Sequence, residues 1–525
     1  RLAGLPWFSP RYGLDLRSVA LYRAGVGLLL LLDLFWRSLD LRAHYTDEGI
    51  VPRERLVGSW GSPLNYTFHA WGGDTTSQAV LFSVAAVFAA MLLVGYRSRL
   101  AAFMSWLFLC SLHGRNYMVL QGGDDMLRVM LFWAIFLPLG ARWSVDSILA
   151  PFGCERATPA SERPVAPRRV LSLGSVVIVL QLFAVYVVTA YLKSGPAWHS
   201  QGSAIHLALH HHTFVTHFGK LFVQLPTPVL QGMTWGIWWL ELLGPLLFFV
   251  PWRTAYFRTA QVLFFCGFHF GLYMCMELGP FPWVAIVCWL LLLPSWFWDA
   301  PAAQLVRAAG ARRLLSTVSR FAARTVDRRH AWLSTPWSNG LGIGRAATVV
   351  LLLLASYTAY GTVFAALHRG GVQGKRFEPL LAIRLYANWG MFAPNPPNTS
   401  GWFVTVARQV NGREVDVWND GAPVTWAEPE LPSTTYRRER WRKFSDNILN
   451  PGHSVVRPYF LGWLCTEWNE AHTDGSAITQ IDLYHMVQVA RWPDKGYHPL
   501  QKNLLQHHKC KNAKTAEEPA KSARR

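Results

Sequence analysis

A lysine, Lys193, closes an apolar run (170–192) that carries no charged side chain. The run is long enough to cross a bilayer core, which takes about 20 residues. A Gly-Pro turn, Trp198 and a histidine-bearing segment follow at once in YLKSGPAWHSQG. Such a lysine has two readings. It can snorkel to the membrane surface as an ammonium. It can also stand at the edge of a dry cavity, where burial favours the neutral amine and makes it a usable base. Glu241 in GIWWLELLG and His269 in FFCGFHFGLYMCME lie inside apolar stretches. Ionisable groups there are expensive to bury and mark functional candidates, with a satisfied core histidine as the alternative for His269.

Other groups are less specific. Asp124 and Asp125 follow two glycines, with Arg128 four residues after Asp124. They read either as acids in the first turn of a helix, favoured by its dipole, or as a polar cluster at the membrane edge. Asp33 and Arg37 are spaced to pair on one helix face, a structural role. His199, His206, His210, His211, His212 and His217 form the densest histidine cluster. His206 and His210 share the spacing of a metal pair, but no Asp, Glu or Cys nearby completes a site, and a surface amphipathic helix is the simpler reading.

These side chains need a membrane frame. The chain has 525 residues, 51% of them hydrophobic, with Trp 26 and Phe 30. The apolar residues sit in blocks of about 20, up to about residue 366. The expected fold is a polytopic α-helical membrane protein of about nine spans, with a C-terminal extracytoplasmic domain containing β-strands. The spans fall near 18–39, 76–96, 99–113, 126–141, 170–192, 229–250, 257–276, 281–297 and 346–367. The units are a transmembrane domain (1–300), a basic cytoplasmic linker (301–345), one further transmembrane helix (346–367), the outer domain (368–510) and a disordered basic tail (511–525). No cleavable signal peptide is expected, the first apolar block being a true span.

The net charge of +19 suggests nucleic acid at first sight. However, the arginines lie in loops between apolar blocks, where the positive-inside rule accounts for them. With the N-terminus in the cytoplasm, the arginine-rich loops all fall inside. Lys193, the Asp124 segment, the histidine cluster and the tail fall outside. No inverted repeat or matching pair of broken helices points to a transporter. Among seven cysteines there is no CxxC, which argues against a zinc ribbon or thioredoxin-type site. An outer location would permit Cys465 and Cys510 to pair. Within the tail, WFVTVARQVNGREVDVW reads as a hairpin about its Asn-Gly turn.

Several segments carry a resemblance. They are YRAGVGLLLLLDLFWR, YTDEGIVPR, LVGYRSR, the GGDDML stretch, ARWSVDSIL, VYVVTAYLKSGPAWHSQG and FHFGLYMCMELGPF. Together they resemble the HTTM family, that of the vitamin K-dependent γ-glutamyl carboxylases, over about residues 15–300. NWGMFAPNPP is similar to the tails of bacterial members. The resemblance implies a bacterial inner-membrane enzyme that epoxidises reduced vitamin K or menaquinol with molecular oxygen. The strong base so formed would remove a γ-proton from a protein glutamate, which then takes up carbon dioxide. Lys193 matches the family's base and His269 a histidine of a later span. Trp198, Tyr191, Glu241, Asp124 and Asp125 are the implied surroundings of the quinone. The family's Asn-Asn-His motif is replaced here, its histidine falling on Gly123. That departure touches glutamate carboxylation more than quinone binding, and His113 or the His206–His212 cluster is the candidate replacement. The alternative is a non-enzymatic membrane component that helps to process or export a partner peptide. Lipid and a peptide are the expected partners, and nucleic acid is not.

Overall fold

A computed structural model describes residues 11–59, 67–149, 169–299, 345–368, 384–472, 475–494 and 496–510. The expected basic linker at 301–345 and the tail at 511–525 lie outside these residues, except Arg345, which opens the last helix below. A helix stands at each of the nine expected segments: α1 (Leu16–Ser38), α2 (Thr75–Val94), α3 (Ser98–Arg115), α4 (Gly122–Ala134), α5 (Leu173–Leu192), α6 (Thr227–Leu243), α7 (Thr254–Cys275), α8 (Phe281–Leu290) and α9 (Arg345–His368). Four of them, α1, α2, α5 and α9, are long and apolar enough to cross a membrane.

Local chemistry fixes many of the ends. Asp15 caps α1 through Arg17 N at 2.8 Å, and Asp74 caps α2 through Ser77 N at 2.9 Å. Gly95 closes α2 in the left-handed region, φ 73°. Ser172 and Ser175 cap α5 reciprocally. Pro245 ends α6, whose chain continues as a 3-10 turn, Gly244–Phe249.

The expected fourth span is displaced. Its helix starts at Gly122, capped by Gln121 and Asp124, and stops at Ala134. This 13-residue helix is the hub of the bundle, with every residue from Met126 to Ala134 buried. It packs against α3, α5 and α8. Large apolar side chains such as Phe35, Trp36, Val87, Phe264 and Leu353 face outward, which is compatible with lipid contact.

The C-terminal part holds four antiparallel strands: β1 (Thr399–Gln409), β2 (Glu414–Asp416), β3 (Ile478–Val489) and β4 (Gln501–Lys509), ordered β2-β1-β3-β4. The β1–β2 hairpin turns at Asn411-Gly412, Gly412 having φ 85°. Helices α10 (Glu439–Leu449) and α11 (Arg457–Ala471) join it. Cys465 of α11 is disulfide-bonded to Cys510 just past β4. The core between them takes in Ile50, Val51, Met118 and Val119 from the loops of the helical part.

Candidate functional site

Lys193 is the C-terminal cap of α5, where the helix ends before the Gly195-Pro196 turn. Its Nζ lies 2.5 Å from Glu241 Oε2 of α6 and 4.2 Å from the centre of the Trp198 ring. Both charged residues are buried, Lys193 at 3% exposure and Glu241 at 7%. A carboxylate below and an indole face above are what a buried ammonium needs. The snorkelling reading is therefore replaced by a paired, enclosed amine. His199 places its Nε2 2.8 Å from the Lys193 carbonyl and packs edge-on to Trp238, which donates from Nε1 to Ala190 O.

His269 sits one helix further on, 1% exposed. Trp289 Nε1 donates to Tyr186 Oη at 2.6 Å, and Tyr186 Oη is 2.6 Å from His269 Nε2. An indole N–H only donates, so the Tyr186 hydroxyl hydrogen is left for His269. His269 Nε2 then accepts, and its Nδ1 carries the ring hydrogen. That Nδ1 has no hydrogen-bond partner. Tyr186 lies on α5, the helix that Lys193 caps, so α5 carries both the partner of His269 and the partner of Glu241. Nothing in the sequence pattern singled out Tyr186, an aromatic in an apolar run.

The aspartates belong to a different network. Arg37 donates to Asp33 Oδ2 and to Asp124 Oδ1, each at 2.7 Å. Arg440 of α10 donates to Asp33 Oδ1 at 2.7 Å and to Asp124 Oδ2 at 2.6 Å. Two arginines and two aspartates thus form a buried, charge-balanced clamp between the first span, the hub helix and the C-terminal part. His113 Nε2 lies 3.5 Å from Asp124 Oδ1 and its Nδ1 3.0 Å from Arg128 Nη1. Asp125 is bound by Arg128 at 2.6 Å. The expected Asp33–Arg37 pair is present, and the Gly-Gly-Asp-Asp stretch is both a helix start and a polar cluster.

A strap, residues 384–395, crosses from one network to the other. Arg128 donates to the carbonyls of Arg384 and Tyr386, Thr189 to that of Trp389, Trp198 to that of Phe392 and Gly195 N to that of Pro394. The NWGMFAPNPP stretch is thus a cover over the Lys193 corner, held by its backbone.

The remaining expected residues are distributed as follows. Tyr191 is 53% exposed on the outside of α5, away from the enclosed amine. His206 Nε2 bonds to Arg491 O and His210 Nδ1 to His206 O. His212 Nδ1 and Nε2 lie 3.0 Å from Glu428 and 2.8 Å from Gln488. No group of three or more metal-ligating side chains occurs among the described residues. His206, His210, His211 and His212 are buried, His206 and His212 bonded to the C-terminal part, while His199 and His217 are exposed, so the middle of the segment is not a surface helix. At Gly123 a Cβ would stand 2.9 Å from Phe281 N and Cα, so this position has no room for a histidine without moving the start of α8. The chain matches no family model, no curated protein and no solved structure.

Proposed function

We propose that the chain is a multi-pass membrane enzyme acting on a reduced quinone of the vitamin K or menaquinone class, with Lys193 as the base. The observation that carries this reading is the enclosed Lys193–Glu241 pair at 2.5 Å. Held against Glu241 and shut away from solvent, the Lys193 amine is placed to exchange a proton with a hydroquinone. His269 Nδ1–H, buried and unpaired, supplies a donor for a quinone oxygen. Epoxidation with molecular oxygen would follow, and carboxylation of a protein glutamate with carbon dioxide is the coupled step that the HTTM resemblance suggests. The quinone would lie near Lys193, Trp198 and Glu241. Asp124 serves in the clamp, Asp125 pairs with Arg128 and Tyr191 stands on the outer face of α5. In this reading all nine helices span a bacterial inner membrane, with the arginine-rich loops inside and the strand-containing domain outside.

The packing of Gly123 on Phe281 favours a second reading, in which carboxylation is lost and the outer domain handles a partner peptide. An aerobic assay of the purified protein with reduced vitamin K, scored for epoxide by mass spectrometry, tests the first reading. Lys193→Arg is the decisive variant: it keeps a cation on Glu241, but a guanidinium stays charged and cannot serve as the base. Epoxide from the parent and none from Lys193→Arg is expected. Equal epoxide from both would overturn the role of Lys193, and none from either would favour the second reading.

A further inference from the structure

Away from the Lys193 corner, a narrow crevice lies between α1, α2 and α3. Its walls are apolar, among them Leu30, Leu34, Ala89 and Phe108, and its three polar liners are Asp33, His69 and Ser105. His69 Nε2 and Ser105 Oγ are both buried without a hydrogen-bond partner. Two such atoms opening on one crevice call for a ligand, since each unmet polar group costs about 1–3 kcal/mol.

The hydrogen-bond order around His69 says which kind. Thr67 Oγ1 gives its hydrogen to the Ser111 carbonyl at 2.5 Å. Ser111 Oγ, 2.8 Å from Thr67 Oγ1, must then donate to it. His69 Nδ1, 2.6 Å from Ser111 Oγ, is left as the donor in the next link. A neutral imidazole with hydrogen on Nδ1 presents a lone pair on Nε2. The crevice therefore offers an acceptor from His69, carboxylate oxygens from Asp33 and a hydroxyl from Ser105. Such a lining selects an O–H donor over a carbonyl or an anion. A cation is disfavoured because Arg37 and Arg440 already balance Asp33 and Asp124.

The size settles the rest. The cavity measures about 10 Å³, room for one water and no more. We propose that this crevice is a binding site for a single water molecule, which donates to His69 Nε2 and bridges it to Ser105 Oγ and the Asp33 carboxylate. The water joins the Thr67–Ser111–His69 chain to the aspartate–arginine clamp, so that a continuous polar path runs from the loop before α2 to the hub helix. This site is independent of the quinone reading.

Ser105→Val tests it by the sign of the effect. The added methyl group fills the crevice. If the site were a dry void, filling it would raise Tm. If it holds a water, expelling that water strands His69 Nε2, and Tm falls by a few degrees. Ser105→Ala, which removes one contact and adds no bulk, is expected to lower Tm less. A raised Tm for Ser105→Val would overturn the proposal. Electron cryomicroscopy of the full chain, at a resolution that shows other buried waters, gives a second readout. One isolated peak within about 3.2 Å of His69 Nε2 and Ser105 Oγ is expected. An empty crevice, or density continuing between Leu30 and Leu34 as an amphiphile, would overturn it.

Discussion

Lys193 and Glu241 come from separate helices, 48 residues apart, and each is legible in the sequence as a charge out of place in an apolar stretch. Their pairing is not legible, because it depends on which faces of α5 and α6 meet. The same limit applies to His269. Its burial follows from its setting, whereas its protonation pattern follows from Tyr186 and Trp289, two aromatics among many. A buried ion pair is costly to break and often cheap to replace. Glu241→Leu, which strands the Lys193 ammonium, should lower unfolding free energy by about 3–5 kcal/mol. The double variant Lys193→Met with Glu241→Leu should recover most of that loss. Chemical denaturation in detergent measures both, and a double variant as unstable as the single one would refute the pairing argument.

At the scale of elements, the nine helices and the hairpin at Asn411-Gly412 are readable from periodicity and turn chemistry, because both are local. The hub helix is shifted, since Asp124 caps its first turn and pulls the start ahead of the apolar residues. The clamp shows where such reading stops. Asp33 and Arg37 are four residues apart and visible as a pair. Arg440 lies 407 residues from Asp33, in a stretch of α10 that reads as an ordinary basic surface, RRERWRKF. Within α10, Arg440 is nevertheless buried while Glu439 is not. Arg440→Ala should leave two aspartates facing one arginine and cost about 3–5 kcal/mol. Limited proteolysis should then release the C-terminal part more readily. Arg440→Ala combined with Asp33→Asn should be less damaging than Arg440→Ala alone, and an additive double variant would argue against a shared clamp.

The whole molecule carries a pH dependence. Burial holds His44 and His211 down to about 3 and His485 to about 4, against an ordinary value of 6.5. Neighbouring arginines reinforce the first two, Arg37 and Arg440 at His44 and Arg442 at His211. The native state thus refuses protons that the unfolded chain takes up below 6.5. These groups contribute fully above that value, and their contribution is lost as pH falls from 6.5 toward 3–4. Thermal unfolding followed from pH 8 to pH 4 should show a steady fall beginning near 6.5. His485→Gln should flatten that slope, and an unchanged slope would remove His485 from the account. The three histidines lie in the loop after α1, in the segment after α5 and in β3, so the effect is spread over parts remote in sequence.

The clamp has a consequence for the order of synthesis. Asp33 leaves the ribosome in the first span, but one of its two arginines follows only 407 residues later. At about 5–20 residues per second, that interval is about 20–80 s. Once Asp124 is made, 316 residues before Arg440, Asp33 and Asp124 have Arg37 alone between them, and the bundle carries one uncompensated negative charge at its centre. The helical part cannot reach its final packing until α10 arrives, so an early ribosomal stop or a cut before residue 440 leaves an unfinished bundle. In this chain a late-made helix completes one made some 407 residues earlier.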